Sequence, residues 1–242
     1  MRVSPRTPLF RPDRYFATHE INFFRVMVLV GLLIIAGPVT VYGVGWILVN
    51  HIDGTVMVDN PDRPPDFVCD DGFHSDIYDE GACDRPKEIE QNVDQVLWSA
   101  IDGLVGPALV AFPIILLIIG MLLHVGSWLA DGSGGIFPSF AVAAWGLLPS
   151  VLSIVVMLPL LWVAVDSYTL LPNQELSTVI DPLMGQIENL EQVTIVVSML
   201  TAVWGGIIWR YGLEHHRNIP AASARITAGT TALIVVLLGL LS

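Results

Sequence analysis

The sequence predicts an all-α membrane protein, a polytopic bundle of about five transmembrane helices with an extracellular acidic loop. Three observations predict it. Of the 242 residues, 53% are hydrophobic and only 14% are charged, whereas a soluble domain carries about a quarter charged residues. Long uncharged apolar runs alternate with short polar segments, which is the pattern a hydrocarbon core imposes. The basic residues also cluster on alternate connections, which gives the spans a direction.

Residues 1–25 read as a cytoplasmic arm, with Arg2, Arg6, Arg11, Arg14 and Arg25 against Asp13 and Glu20. The first span, residues 26–49, holds about 24 uncharged residues, too many for a cleavable signal peptide. Its Gly37-Pro38, Gly43 and Gly45 should bend the helix or admit a close neighbour. Residues 104–242 supply four more spans. The second run, Leu104 to Ala130, contains Pro107, Pro113 and His124. The third, Ile136 to Val165, is about 30 residues long. As straight helix it would measure about 45 Å, against a core of about 30 Å. It should therefore be broken, tilted or partly interfacial, with Pro149 the expected break. Gln192 to Trp209 and Ile226 to Ser242 are shorter and close to the spanning minimum. Trp98, Trp128, Trp162 and Trp209 fall where interfaces are expected. Small residues such as Gly103, Gly106, Ala141, Ala143, Ala144, Gly205 and Gly206 would let helices approach closely. The pattern is that of a compact bundle, without a wide aqueous pore.

Residues 50–103 form the acidic loop. Between His51 and Ala100 lie thirteen Asp or Glu against Arg63, Arg85 and Lys87. This stretch accounts for most of the net charge of −12 and repels nucleic acid and anionic headgroups. A solvated surface, like that of proteins from high-salt organisms, is the reading favoured over a dedicated cation site. Cys69 and Cys83 are the chain's two cysteines. Two thiols this close in a non-cytoplasmic loop favour a disulfide, since a metal site would need more soft ligands. The positive-inside rule places the arm and the Arg210 to Arg225 connection in the cytoplasm, and the Cys-bearing loop, the Asp166 to Glu191 connection and the C-terminus outside.

The chemistry offered is sparse. The five uncharged runs contain no Asp, Glu, Lys or Arg, whereas ion coupling and intramembrane catalysis need ionisable groups there. His124 is the one titratable group inside a run and reads as a neutral, hydrogen-bonded imidazole. Glu214-His215-His216 sets three metal-ligand types side by side, but consecutive residues do not share a helical face. Asp70-Asp71, Asp76 and Asp79-Glu80 lack EF-hand spacing and read as diffuse counterion binders. Gly132 to Gly135 lacks the Lys of a phosphate loop and reads as a tight interhelical turn. No catalytic residue, cofactor or metal site follows. The expected partners are membrane lipid, other membrane proteins or a second copy of the chain, and no nucleic acid.

The stretch from His124 through Gly134 and Gly135 to Phe137, followed by Trp145 and Pro149, resembles the Yip1 domain family in its prokaryotic form. Tyr211 to His215, followed by Ser223, Ala224 and Arg225, is similar to that family's link into its last helix. The resemblance covers about Trp98 to Ser242. It implies a five-helix membrane protein with a cytoplasmic N-terminus. Eukaryotic relatives are associated with vesicle trafficking and Rab-class GTPases, a role that transfers poorly to an arm of about 25 residues without a matching motif. The acidic, Cys-bearing loop departs from the family pattern. The expectation is therefore a non-enzymatic protein acting by association, with a transporter or channel for a neutral or weakly polar solute as the rival.

Overall fold

The computed structural model describes residues 6–70, 81–171 and 177–241. The chain runs α1 (Pro12–Thr18), α2 (Phe23–His51), β1 (Ile52–Asp59), α3 (Asp66–Asp70), β2 (Glu88–Asn92), α4 (Val93–Leu129), α5 (Ile136–Ala164), β3 (Tyr168–Leu170), α6 (Ser177–His216) and α7 (Ala221–Leu241). Five of these helices are long and apolar enough to cross a bilayer: α2, α4, α5, the Leu190–His216 part of α6, and the Ala221–Gly239 part of α7. The protein is a polytopic helical membrane protein, as its hydropathy predicts.

The helices outrun the apolar runs that announced them. Asn22 caps α2 by accepting from the Arg25 amide at 3.1 Å, so the helix starts ahead of its uncharged run. α4 begins at Val93, eleven residues before Leu104, and its 37 residues span about 55 Å. Asp94 and Asp102 thus sit on helical turns ahead of the uncharged run, where the Tyr42 hydroxyl donates to Asp102 at 3.4 Å. α6 is longer still, at 40 residues. Its extension is tied down by Gln186, whose Nε2 donates to Asp166 and to the Tyr168 hydroxyl, both at 2.7 Å.

The third run is one continuous helix, which corrects the expected break at Pro149. α5 passes through both Pro149 and Pro159. Pro149 is fully buried among the neighbouring helices, a setting in which a transmembrane helix tolerates the lost N–H.

Packing is set by small residues. Ala141, Val142, Ala143 and Ala144 on α5 are wholly buried, and the last three share a core with Leu33, Ile119, Leu123, Trp209 and Leu213. A methyl added at Gly37 would meet the Ala108 carbonyl, and one at Gly45 the Ile101 side chain, so α2 and α4 approach closely, as expected. Gly206 similarly faces the Ala232 methyl of α7. Gly103 and Gly106 behave otherwise. Both are exposed, with nothing within 4 Å of an added methyl, because that end of α4 has no neighbour on their face.

Residues 52–92 hold more structure than a loop. β1 pairs antiparallel with β2 and parallel with β3, giving the order β2-β1-β3. Ile52, Val56, Val93 and Leu170 form a small core beneath this sheet. Cys69 and Cys83 are disulfide-bonded, with Cα atoms 5.7 Å apart. Asp66 accepts from Lys87 at 2.7 Å and from Arg63 at 3.2 Å. The Lys87 hydrogen bond, aided by both positive charges, holds the Asp66 carboxyl below its ordinary 3.8. Asp71, Asp76, Asp79 and Glu80, raised as cation ligands, lie outside the described residues.

Candidate functional site

Two places in the bundle gather polar groups or open space. The first is the end formed by the α4–α5 and α6–α7 turns. Arg217 lies just past α6 and is only 1% exposed. Its Nε donates to the Ser127 hydroxyl at 3.0 Å, and its Nη1 to the carbonyls of Gly134 at 2.5 Å and Gly135 at 2.7 Å. The Ser133 amide returns a bond to the Arg217 carbonyl at 2.9 Å. Burial lowers the guanidinium's pKa from its ordinary value, yet arginine stays charged. Among the described residues no carboxylate pairs with it. Polarised carbonyls and a hydroxyl solvate the charge instead.

This is what Gly134 and Gly135 do. Gly134 has φ +89, a backbone state that disfavours a side chain, and its carbonyl thereby turns onto Arg217. Asn218 follows with φ +53, a left-handed residue of the kind that ends helices. His124, one turn above Ser127, shares a 3.3 Å hydrogen bond with Ser139 on α5. The Phe137 ring lies 5.6 Å from that of Phe23. Four of the five motif positions, His124, Gly134, Gly135 and Phe137, thus sit at this one end, and they hold turns together. Pro149 lies deeper, in the core.

The N-terminal arm packs onto the same end. Tyr15 and Phe16 on α1 are buried against Ile208, beside Trp145 and Trp204. The Trp204 indole donates to the Leu9 carbonyl at 2.7 Å. His216 packs edge-on against Phe16, with centroids 5.4 Å apart. Among the described residues no group of His, Cys, Asp or Glu is placed to hold a metal, Glu214-His215-His216 included.

The second place is a cavity of about 830 Å³ between α5, α6 and α7, touched by Thr40 and Val44 of α2. Its floor is Gly146 and Trp209, and it rises along α5 to Leu161 and along α6 to Leu190 and Glu191. Trp209 corrects an expectation. Its place near a span end predicts an interfacial belt residue, but it is 1% exposed and its indole donates to the Ala143 carbonyl at 3.3 Å. A methyl at Gly146 would overlap the indole ring, and one at Gly205 would meet the Gly146 carbonyl at 2.5 Å. Two glycines on facing helices make the slot that draws this tryptophan inward. Trp128 and Trp162 are on the outer surface of the bundle, as belt residues should be.

The rival reading needed prolines converging on a cavity. Pro149 is buried in the core, Pro113 is half-buried on α4, and Pro159 is exposed. None of the three lines this cavity. The sequence showed neither the cavity nor the buried state of Arg217. The arginine did leave one signal, the Asn218-Ile-Pro220 helix stop that follows it.

No curated protein and no solved structure matches this chain. The family model described as Yip1 domain matches residues 8–242, so it takes in the docked arm from Pro8 and the sheet-bearing segment as well as the four-span region. With almost its whole length matched, five spans and the Arg217-locked turns in one frame, the chain belongs to the Yip1 domain family of membrane proteins.

Proposed function

We propose that this protein is non-enzymatic and acts by association within the membrane, with lipid first and with other membrane proteins or a second copy beyond that. The observation that carries the proposal is the cavity between α5, α6 and α7, which is walled mostly by apolar side chains at membrane depth. A space of about 830 Å³ is within the range of ordinary ligand sites, about 300–1,000 Å³. In a bilayer, lipid is the molecule at hand to fill it. The polar groups at the other end are spent on holding turns, as Arg217 shows. Native mass spectrometry of the detergent-purified chain should show retained lipid or a co-purifying protein. A strict monomer stripped of both at first extraction would overturn the proposal.

A second reading, transport of a neutral or weakly polar solute, has one observation in its favour: the cavity reaches down to Trp209. Against it, Gly146 and Trp209 close the floor and the three prolines stay away from the walls. Solute-driven swelling of vesicles containing the protein would favour this reading. In orientation, the arm and the Arg217 end face the cytoplasm, and the disulfide-bearing sheet and the C-terminus lie outside a cell membrane. The arginines cluster at one end and the carboxylates at the other.

A further inference from the structure

The walls of the cavity carry a chemical preference. Thr40 donates its hydroxyl proton to the Ala36 carbonyl at 2.8 Å, Ser153 to Ser150 at 2.7 Å, Thr194 to Leu190 at 3.0 Å and Thr201 to Ser198 at 3.0 Å. A hydroxyl has one proton to give and two lone pairs. With the proton committed to its own helix, each of these four oxygens offers the cavity an acceptor, and the Ser150 and Ser198 hydroxyls, also on the wall, add neutral donors. The Trp209 N–H on the floor is committed as well, to Ala143. Glu191 at the mouth is a further acceptor, and no Lys, Arg or His is among the described residues that line the space.

The cavity runs from Gly146 to Leu161 along α5, about 22 Å of helix rise. Half a hydrocarbon core is about 15 Å. The space therefore extends from mid-bilayer to headgroup level in the leaflet on the sheet side. A phosphate would meet neutral hydroxyls and a carboxylate there, with no cation to balance its charge. An ammonium at the depth of Thr40 and Ser153 would be a charge in hydrocarbon, which is costly. An uncharged donor meets neither objection.

We propose that the cavity binds one membrane lipid with a long apolar chain and an uncharged, hydroxyl-bearing head, the head donating to the Ser and Thr oxygens and the chain lying against Met157, Met199 and Trp209. This rests on the association reading and narrows it to a class of lipid.

The test uses the full chain in phosphatidylcholine vesicles with three photoreactive probes of one chain length: a long-chain alcohol, the fatty acid and the monoalkyl phosphate, each with a diazirine midway along the chain. The alcohol should label peptides containing Met157 and Met199 about fivefold more than the phosphate does, the difference expected of one neutral hydrogen bond. Thr194→Val, alone or with Ser153→Ala, should remove most of that preference without changing labelling of the exposed α4 face around Leu117. Ser198→Phe should block labelling of the cavity peptides by all three. Equal labelling by all three probes, or a preference that survives Thr194→Val, overturns the head-group assignment and leaves the association reading intact. Cavity peptides labelled no more than the α4 face overturn the site itself.

Discussion

At the scale of single residues, two glycines of the same transmembrane type have opposite roles, and the difference is testable. Gly146 faces the Trp209 indole with no room for a methyl, while Gly103 faces open space on α4. Overpacking a filled core costs about 1–3 kcal/mol. Gly146→Val should therefore lower the thermal midpoint of the detergent-solubilised protein by several degrees, and Gly103→Val should leave it unchanged or raise it slightly through helix propensity. Size-exclusion thermal profiles would measure both, and equal shifts in the two variants would contradict the slot described for Trp209. The same pair shows what the sequence conceals. Glycine marks close approach only where a second helix arrives, and a tryptophan near a predicted span end suits a membrane interface and a core slot equally. Which one Trp209 occupies depends on Gly146, far away in the chain. Arg217 was legible as a charge that votes on orientation, but not as a buried lock. Its acceptors at Gly134 and Gly135 are backbone carbonyls, and a carbonyl leaves no trace in side-chain identity.

At the scale of elements, hydropathy located every span and missed what holds the spans in place. A bilayer selects for uncharged length, so the apolar runs were visible. The first turns of α4 and α6 lie outside the uncharged runs and are fixed by contacts such as Gln186 to Asp166 and Tyr168, which hydropathy does not report. β1, β2 and β3 are short, and β3 follows α5 far along the chain, so their pairing had no local signature. The turn lock gives the next prediction. Arg217→Met removes three hydrogen bonds and leaves the Gly134 and Gly135 carbonyls without their charged donor, a loss of about 3 kcal/mol. Arg217→Lys keeps the charge but loses the planar fork, so it should fall between the two. Hydrogen exchange should speed up at Gly132 and Ser133, whose amides are bonded to Ser127 and Arg217 at 2.8 and 2.9 Å. Unchanged exchange there in Arg217→Met would refute the lock. The sheet-bearing segment has its own acid limit. The folded pKa of Asp66 is depressed, so the stability it contributes is present above the ordinary 3.8 and is lost as pH falls through the lower folded value. Exchange in the Asp59–Lys87 segment should rise below about pH 3.8 and not at pH 5. Lys87→Met should abolish most of that acid step, since the Lys87 hydrogen bond is its largest cause.

At the scale of the whole molecule, an odd number of spans puts the two termini on opposite sides, and the structure sorts everything else by end. The arm, the α4–α5 turn and the α6–α7 turn share one end. The sheet, the disulfide and the Trp46–Trp162 stack, with centroids 4.8 Å apart, share the other. A five-helix protein of this kind has two possible orientations, and two features of its chemistry support the one proposed. Basic residues concentrate on the arm and on the connection holding Arg217, the bias of cytoplasmic segments. A disulfide persists in an oxidising compartment, which favours the proposed orientation with the opposite end outside. Because the described residues hold no free cysteine, an introduced thiol can be read without background. Ser133, exposed in the α4–α5 turn, is a suitable site. In whole cells a membrane-impermeant maleimide should leave the S133C thiol untouched until the membrane is permeabilised. The same reagent should reach Cys69 and Cys83 in intact cells only after reduction. Each thiol set serves as the control for the other, since a leaky membrane lets the reagent reach both S133C and the reduced pair in unpermeabilised cells and is recognised at once. If S133C reacts in intact cells while the reduced pair does not, the protein is inverted. The acidic sheet would then face a reducing compartment, and the opening of the lipid cavity would lie in the cytoplasmic leaflet.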